Sequence, residues 1–345
     1  MPSEDADLQP VKREPHRRDF LRSCLFGAAA LASSRSARGA PGVIAPTFAP
    51  ASEKSRVVVA RDKALRGSGS SLDSGRLLQL VDRAVQSFYG SDSPAEAWKK
   101  VVRPGEVVGL KVNCLAGRGA STNVELVEAI SERLRQVGVK DIVVWDRLES
   151  DLESAGFRPG SKHSGVRYIG NDRAGYEQEL SIYGSVGSLV SQTLTRTCDA
   201  IINLPVLKDH GIAGVTLALK NFFGAIHNPN KYHPNVGDPY IADVNMLAPI
   251  RQKLRLHICD ATTAQYEGGP SYMPQWSWPF NSLLVARDPV ALDATGWRLI
   301  EMKRSEQGMK SLEALKRAPK YIATAADARH RLGTDDPNQI EMIET

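Results

Sequence analysis

From Arg56 onward the chain alternates short β-branched runs with amphipathic helical patterns, and this constrains the fold more than any other feature. Arg56–Ala60 and Glu106–Val112 read as strands bounded by charge or Gly-Pro. Between them Leu77, Leu78, Val81, Val85 and Phe88 recur at helical spacing. After the second strand, Ser121-Thr122-Asn123 can cap a helix carrying Val124, Val127, Ile130 and Leu134. Gly138 ends that helix and Asp141–Trp145 is the next strand. A strand-helix-strand unit of this length needs a crossover, so the expected fold is α/β, a mostly parallel sheet with helices on both faces. Further strands are predicted at Val166–Ile169, Ala200–Leu204, Arg255–Cys259 and Leu283–Ala286. Helices are predicted near Ile241–Ile250, Pro289–Met302 and Lys310–Leu332, with residues 55–345 forming a single domain.

The first 40 residues read differently. His16-Arg17-Arg18-Asp19-Phe20-Leu21 precedes the apolar run Cys24–Ala32, and small residues follow from Ser33 to Ala40. A twin arginine, a short apolar stretch and a small-residue exit are the parts of a Tat export signal, with cleavage expected between Ser36 and Ala40. Export would make the Tat translocase a transient partner and the destination periplasmic or otherwise outside the cytoplasm. The run is about half of the roughly 20 residues a bilayer span requires, so no permanent anchor is expected. Residues 41–54, rich in Pro, Ala and Ser, read as a linker. The formal net charge is only +5, and part of that excess lies in the leader. A nearly neutral body argues against nucleic acid as a partner.

In open α/β sheets, ligands gather beyond the carboxyl ends of the strands. Lys111 and Asn113 close one strand, and Gly117-Arg118-Gly119 follows before a helix cap, a loop able to meet an anion or simply a tight turn. The densest segment runs from Asn203 to His233. Lys208 and His210 lie just past an apolar strand, and Lys220 with Asn221 falls inside the apolar helical run Val215–Ile226. An ammonium group there either pairs, contacts a ligand, loses its proton to become a base, or snorkels from a surface helix. His210 is the expected proton-transfer partner.

Asp260 ends a strand, Glu267-Gly268-Gly269-Pro270 forces a turn, and Tyr272, Met273, Trp276, Trp278 and Phe280 crowd a Pro-broken loop. Those aromatics could lid a ligand, pack on the surface or meet another subunit. Asp288 and Pro289 suit a helix N-cap and first position, with Asp293 one turn later. A metal joining His210, His227 or His233 to Asp260 is a further possibility, although these residues lack a recognised ligand spacing. Cys114, Cys198 and Cys259 are read as buried small residues or as one disulfide plus a free thiol.

Lys111-x-Asn113, Lys208-x-His210, Thr216 to Gly224 with its Lys220-Asn221, Asp260, Glu267 to Pro270 and Asp288 to Asp293 together resemble domain-of-unknown-function family 362. The resemblance runs in order from about Val57 to about Ile300. Some members carry ferredoxin-type iron–sulfur modules or Tat signals, which implies cofactor-dependent or redox-linked chemistry. This chain has no clustered cysteines, so an intrinsic iron–sulfur cluster is not expected. The leading expectation is an enzyme acting on a small anionic ligand: Lys208, His210, Lys220 and Asp260 perform catalysis, and Lys111, Asn113, Arg118, Asn221, Glu267 and Asp293 line the substrate. The alternatives are a non-catalytic anion- or metal-binding protein and a redox accessory protein.

Overall fold

The computed structural model describes residues 54–67, 71–160 and 165–345, together with the backbone of 162–163. The expected leader of 1–40 and nearly all of the linker lie outside these residues. Nine strands carry most of the sheet: β1 (Ser55–Arg61), β2 (Val107–Lys111), β3 (Asp141–Asp146), β4 (Val166–Gly170), β5 (Ala200–Asn203), β6 (Val206–His210), β7 (Leu254–Gln265), β8 (Ser282–Ala286) and β9 (Ile340–Glu344). The main path is β9-β1-β8-β7-β5-β2-β3-β4. The five strands β7, β5, β2, β3 and β4 run parallel to one another, while β8 runs antiparallel to both β1 and β7. The fold is therefore α/β with a mostly parallel sheet.

Alternation along each strand builds two cores, because successive side chains point to opposite faces. Val58, Ala60, Leu110, Ile202, Ile258 and Val285 pack beneath helices α1 (Ser74–Tyr89) and α2 (Val124–Gln136). Val57, Val59, Trp145, Ile201, Cys259 and Leu284 face the other layer, which contains α3 (Ala218–Asn221) and α4 (Pro289–Glu306). Asp73 caps α1 by accepting the Arg76 N–H at 2.9 Å, and Gly90 ends it at φ 56°, a conformation that favours glycine. Asp288 caps α4 through the N–H groups of Val290 and Ala291. Among the described residues, no helix is long and apolar enough to cross a membrane.

Strand order locates the crevice. From β2 the chain builds outward through β3 and β4, then returns to place β5 and β7 on the other side of β2. The connections leaving β2 and β5 therefore diverge at their carboxyl ends, where such sheets open a ligand-sized gap.

Several elements differ from the sequence expectation. Lys208 and His210 lie within β6, which forms a hairpin with Gly214–Thr216 instead of ending before them. The run Val215–Ile226 is not one helix but a strand, the single turn α3 and a 3₁₀ turn over Phe222–Ala225. Asp293 starts the new turn at Ala218, and Gly224 passes so close to Lys111 and Asp146 that a side chain would collide with them. The 310–332 segment is helical only over Tyr321–Ala326, and the 241–250 helix breaks into Tyr240–Asn245 and Ala248–Lys253.

Candidate functional site

A polar row crosses the sheet at the β2/β5 gap. Lys111 and Asn203 are register partners, as are Asn203 and His257, so their side chains share one face. Lys111 is 1% exposed and its ammonium donates to Asp146 Oδ1 at 2.7 Å and to the Val112 carbonyl at 2.6 Å. Asp146 also accepts the N–H groups of Cys114 and Arg147 at 2.7 and 2.8 Å. Asn221 Oδ1 accepts from Asn113 Nδ2 at 3.0 Å, and Asn221 Nδ2 donates to Asn203 Oδ1 at 2.7 Å. Asn203 in turn contacts His257 Nδ1 at 3.0 Å. This network fixes α3 against the ends of β2, β3 and β5.

One residue before Asn221, Lys220 belongs to a different environment. Its ammonium nitrogen lies 3.3 Å from His233 Nε2 and 4.7 Å from the Phe223 ring centroid. Lys208 is fully buried and donates to the Ala120 carbonyl at 2.7 Å. No ion pair to a carboxylate is present for either lysine among the described residues. Burial, with Lys208 nearby, lowers the Lys220 pKa to about 7; burial lowers that of Lys208 to about 8. The buried hydroxyls of Ser121, beside Ala120, and Thr216, the register partner of Lys208, also have no protein hydrogen bond.

His210 stacks on His233 with ring centroids 5.6 Å apart. Its Nδ1 accepts the Ile212 and Ala213 N–H groups at 3.1 and 3.0 Å, which leaves the proton of the neutral ring on Nε2. Burial, followed by the charges of Lys220, His233 and Lys208, lowers the His210 pKa to about 2. A ring that stays neutral suits hydrogen-bond donation better than the proton transfer expected of it. His233 is half-buried, and a contact from Nδ1 to the Asn230 carbonyl at 3.3 Å leaves Nε2 free to accept from Lys220. The sequence carried His233 only as a metal candidate.

Other predicted site residues serve the scaffold. Asp260 faces the α1/α2 layer, away from Lys111, and accepts Asn123 N and Nδ2 at 2.8 and 2.9 Å and Thr262 N and Oγ1 at 3.0 and 2.7 Å. These bonds hold the start of α2 and the adjacent turn of β7, not a cation. The expected Asn123 cap is displaced by this interaction, since its side chain bonds Asp260 and not its own helix. Asp293, fully buried, accepts the N–H groups of Ala218 and Leu219 at 2.7 and 3.2 Å and so caps α3. Its burial pushes the carboxyl pKa well above the usual range. Glu267 is engaged by Arg304 and Arg317; burial would raise its pKa, but the two guanidinium groups leave it lowered. Arg317 also holds Asp209 at 2.7 Å, and Asp209 accepts the Gly269 N–H at 2.8 Å, so this network clamps the 266–270 turn to β6.

Arg118 is exposed beside Gly156, and His227 is exposed with its ring edge against Tyr176. Thus Lys208, His210, Lys220 and His233 come together, Lys111, Asn113 and Asn221 adjoin them, and Asp260, Arg118 and His227 do not join the cluster. Among the described residues, no group of three His, Cys, Asp or Glu side chains is placed to hold a metal ion. Cys114, Cys198 and Cys259 are buried free thiols. Tyr272 lies against Gly119, placing one aromatic of the Pro-broken loop over the loop that carries Ala120.

Residues 108–298, more than half of the chain, match the family described as Domain of unknown function (DUF362), and the chain belongs to that family. A thylakoid-associated protein of Synechocystis sp. is 26% identical over 214 residues, covering 59% of this chain and 64% of that protein. A crystal structure of a Thermotoga maritima protein covers 69% of this chain and 60% of its own, with 10% identity and a TM-score of 0.42. A complex of the Haloferax volcanii Trm112 methyltransferase activator with a putative methyltransferase covers 56% and 57%, with 14% identity and a TM-score of 0.20. Scores this low support no inference about function.

Proposed function

We propose that the protein is an enzyme that performs acid–base chemistry on a small anionic, carboxylate-bearing substrate at the β2/β5 crevice. The observation that carries this reading is the pair of buried lysines without a carboxylate, Lys208 and Lys220. Burying an unpaired ammonium group is costly, and an anion with its own negative charge offsets that cost. Lys208, with no exposed surface, holds the anion, and His210 Nε2–H adds a neutral donor. The Lys220–His233 pair moves the proton, because a lysine near pKa 7 exchanges it readily at neutral pH. Lys111, Asp146, Asn113 and Asn221 set the position of α3. The twin-arginine segment adds the proposal that the Tat translocase exports the folded enzyme to the periplasm.

Calorimetric titration with small carboxylates, followed by deuterium exchange into the carbon of the tightest binder, tests the assignment. Lys208→Met should weaken binding at least tenfold, whereas Lys220→Met should retain binding and stop exchange. Failure of every anion to bind the wild-type chain would overturn the reading. Binding with no exchange would select the non-catalytic alternative that uses the same lysines.

A further inference from the structure

We propose that the substrate is a 2-oxo acid and that the Lys220 amine captures its carbonyl carbon as an imine. This rests on the anion-site reading above and names the chemistry of the guest. Three placements support it. First, Lys220 retains 8% exposure beside half-buried His233, while Lys208 has none, so the two side chains differ in exposure. A carboxylate held by Lys208 would present an adjacent carbonyl outward, toward Lys220. Second, among the described residues neither nitrogen is hydrogen-bonded to a carboxylate, and the Lys208 ammonium disfavours the charged form of Lys220. An uncharged amine is the form that attacks a carbonyl. Third, among the described residues the polar side-chain partner of the Lys220 nitrogen is the imidazole of His233.

The step balances within these groups. The nitrogen lone pair forms the C–N bond as the carbonyl π bond shifts to oxygen. His233 Nε2 accepts a proton from nitrogen and passes it to the oxygen, giving a carbinolamine. His233 then takes the second nitrogen proton and delivers it to the hydroxyl as the C–O bond breaks, releasing water and leaving the neutral imine. No electrons are exchanged with an external donor. The resulting imine withdraws electrons from the neighbouring carbon, which is the activation that acid–base chemistry beside a carboxylate requires. His233 is a positioning and proton-transfer group here, and Lys220 the catalytic residue.

Incubation of the full chain with glyoxylate and cyanoborohydride at pH 7 fixes any imine as a stable secondary amine, and peptide mapping locates it. Lys220 should be labelled at least about tenfold faster than the mean surface lysine, because it has far more free amine at that pH. Acetate should protect it, and Lys208→Met should slow labelling about tenfold while leaving the surface lysines unchanged. His233→Asn should slow labelling without changing acetate affinity, which a loss of fold would not produce. Acetone, a carbonyl without a carboxylate, should show a smaller preference for Lys220 over the surface lysines than glyoxylate does. Labelling of Lys220 no faster than the surface, with acetate still bound through Lys208, would overturn the imine and leave the anion site intact. Loss of both preferential labelling and acetate binding would remove both proposals, and wild-type mapping gives this answer even if a variant does not fold.

Discussion

Lys111 and Lys220 lie on either side of Asn221, the first in contact with its side chain at 3.4 Å and the second its chain neighbour, yet the protein treats them oppositely. Lys111 is given a carboxylate at 2.7 Å and a carbonyl at 2.6 Å, and its partner Asp146 is itself held by two backbone N–H groups. Lys220 receives an imidazole at 3.3 Å, an aromatic face and a second lysine nearby. A buried pair with its hydrogen bonds complete serves specificity and position, whereas an ammonium without a counterion stores a binding or proton-transfer capacity. The contrast teaches that residue type and burial do not separate a lysine fixed in the scaffold from one able to bind or exchange a proton. The missing partner does.

The comparison breaks most visibly at its structural half. Lys111→Met should cost about 3–5 kcal/mol in chemical denaturation, since it strands the Asp146 carboxylate, while Lys220→Met should leave stability equal or higher. An equal loss for both variants would erase the distinction. Next in size is Asp293→Ala, which removes the acceptor for two buried N–H groups and should cost on the order of 2–4 kcal/mol. The same variant should also weaken acetate binding by displacing α3.

The pH dependence is smaller. The Lys220 pKa falls from 10.5 in the unfolded chain to about 7 in the folded protein. Above pH 7 the unfolded chain therefore holds a proton that the folded one has released, and this lysine's contribution to stability rises with pH up to the ordinary lysine range. Its slope should approach about 1.4 kcal/mol per pH unit. The difference between wild-type and Lys220→Met stability curves at pH 7–9 measures it, and a flat difference would place the lysine in an ordinary environment. The smallest effect belongs to Arg118→Ala, which should change stability by less than about 0.5 kcal/mol and leave acetate affinity unaltered, as expected of an exposed group outside the cluster.

Much of the scaffold could be read along the chain. The β-branched runs at β1, β2 and β3 and the apolar run at β8 are local signals strong enough to survive tertiary packing, and Asp288-Pro289 marks a helix start that needs nothing distant. The conjunction of Lys208, His210 and Lys220 was also legible, because a dense polar cluster in an apolar stretch demands a reason. Less legible were the roles. Asp260 looked like a counterion at a strand end, but period-two alternation sends it to the opposite face, where it secures Asn123. Arg317 reaches Asp209 across 108 positions, a pairing with no local signature. The helical pattern over 310–332 competed with tertiary contacts and persists only over Tyr321–Ala326.

The amino-acid order alone determined an alternating strand-and-helix chain, a polar cluster between Asn203 and His233, and which residue types were available there, because hydrophobic period and side-chain chemistry are local properties. Only the folded sheet decided which lysine has a counterion. Strand register sets Lys111 beside Asn203, the direction of strand addition reverses at β2/β5, and the Asp293 cap holds Lys220 beside His233. Charge pairing depends on distances of a few ångströms between segments tens of residues apart, and those distances exist only after packing.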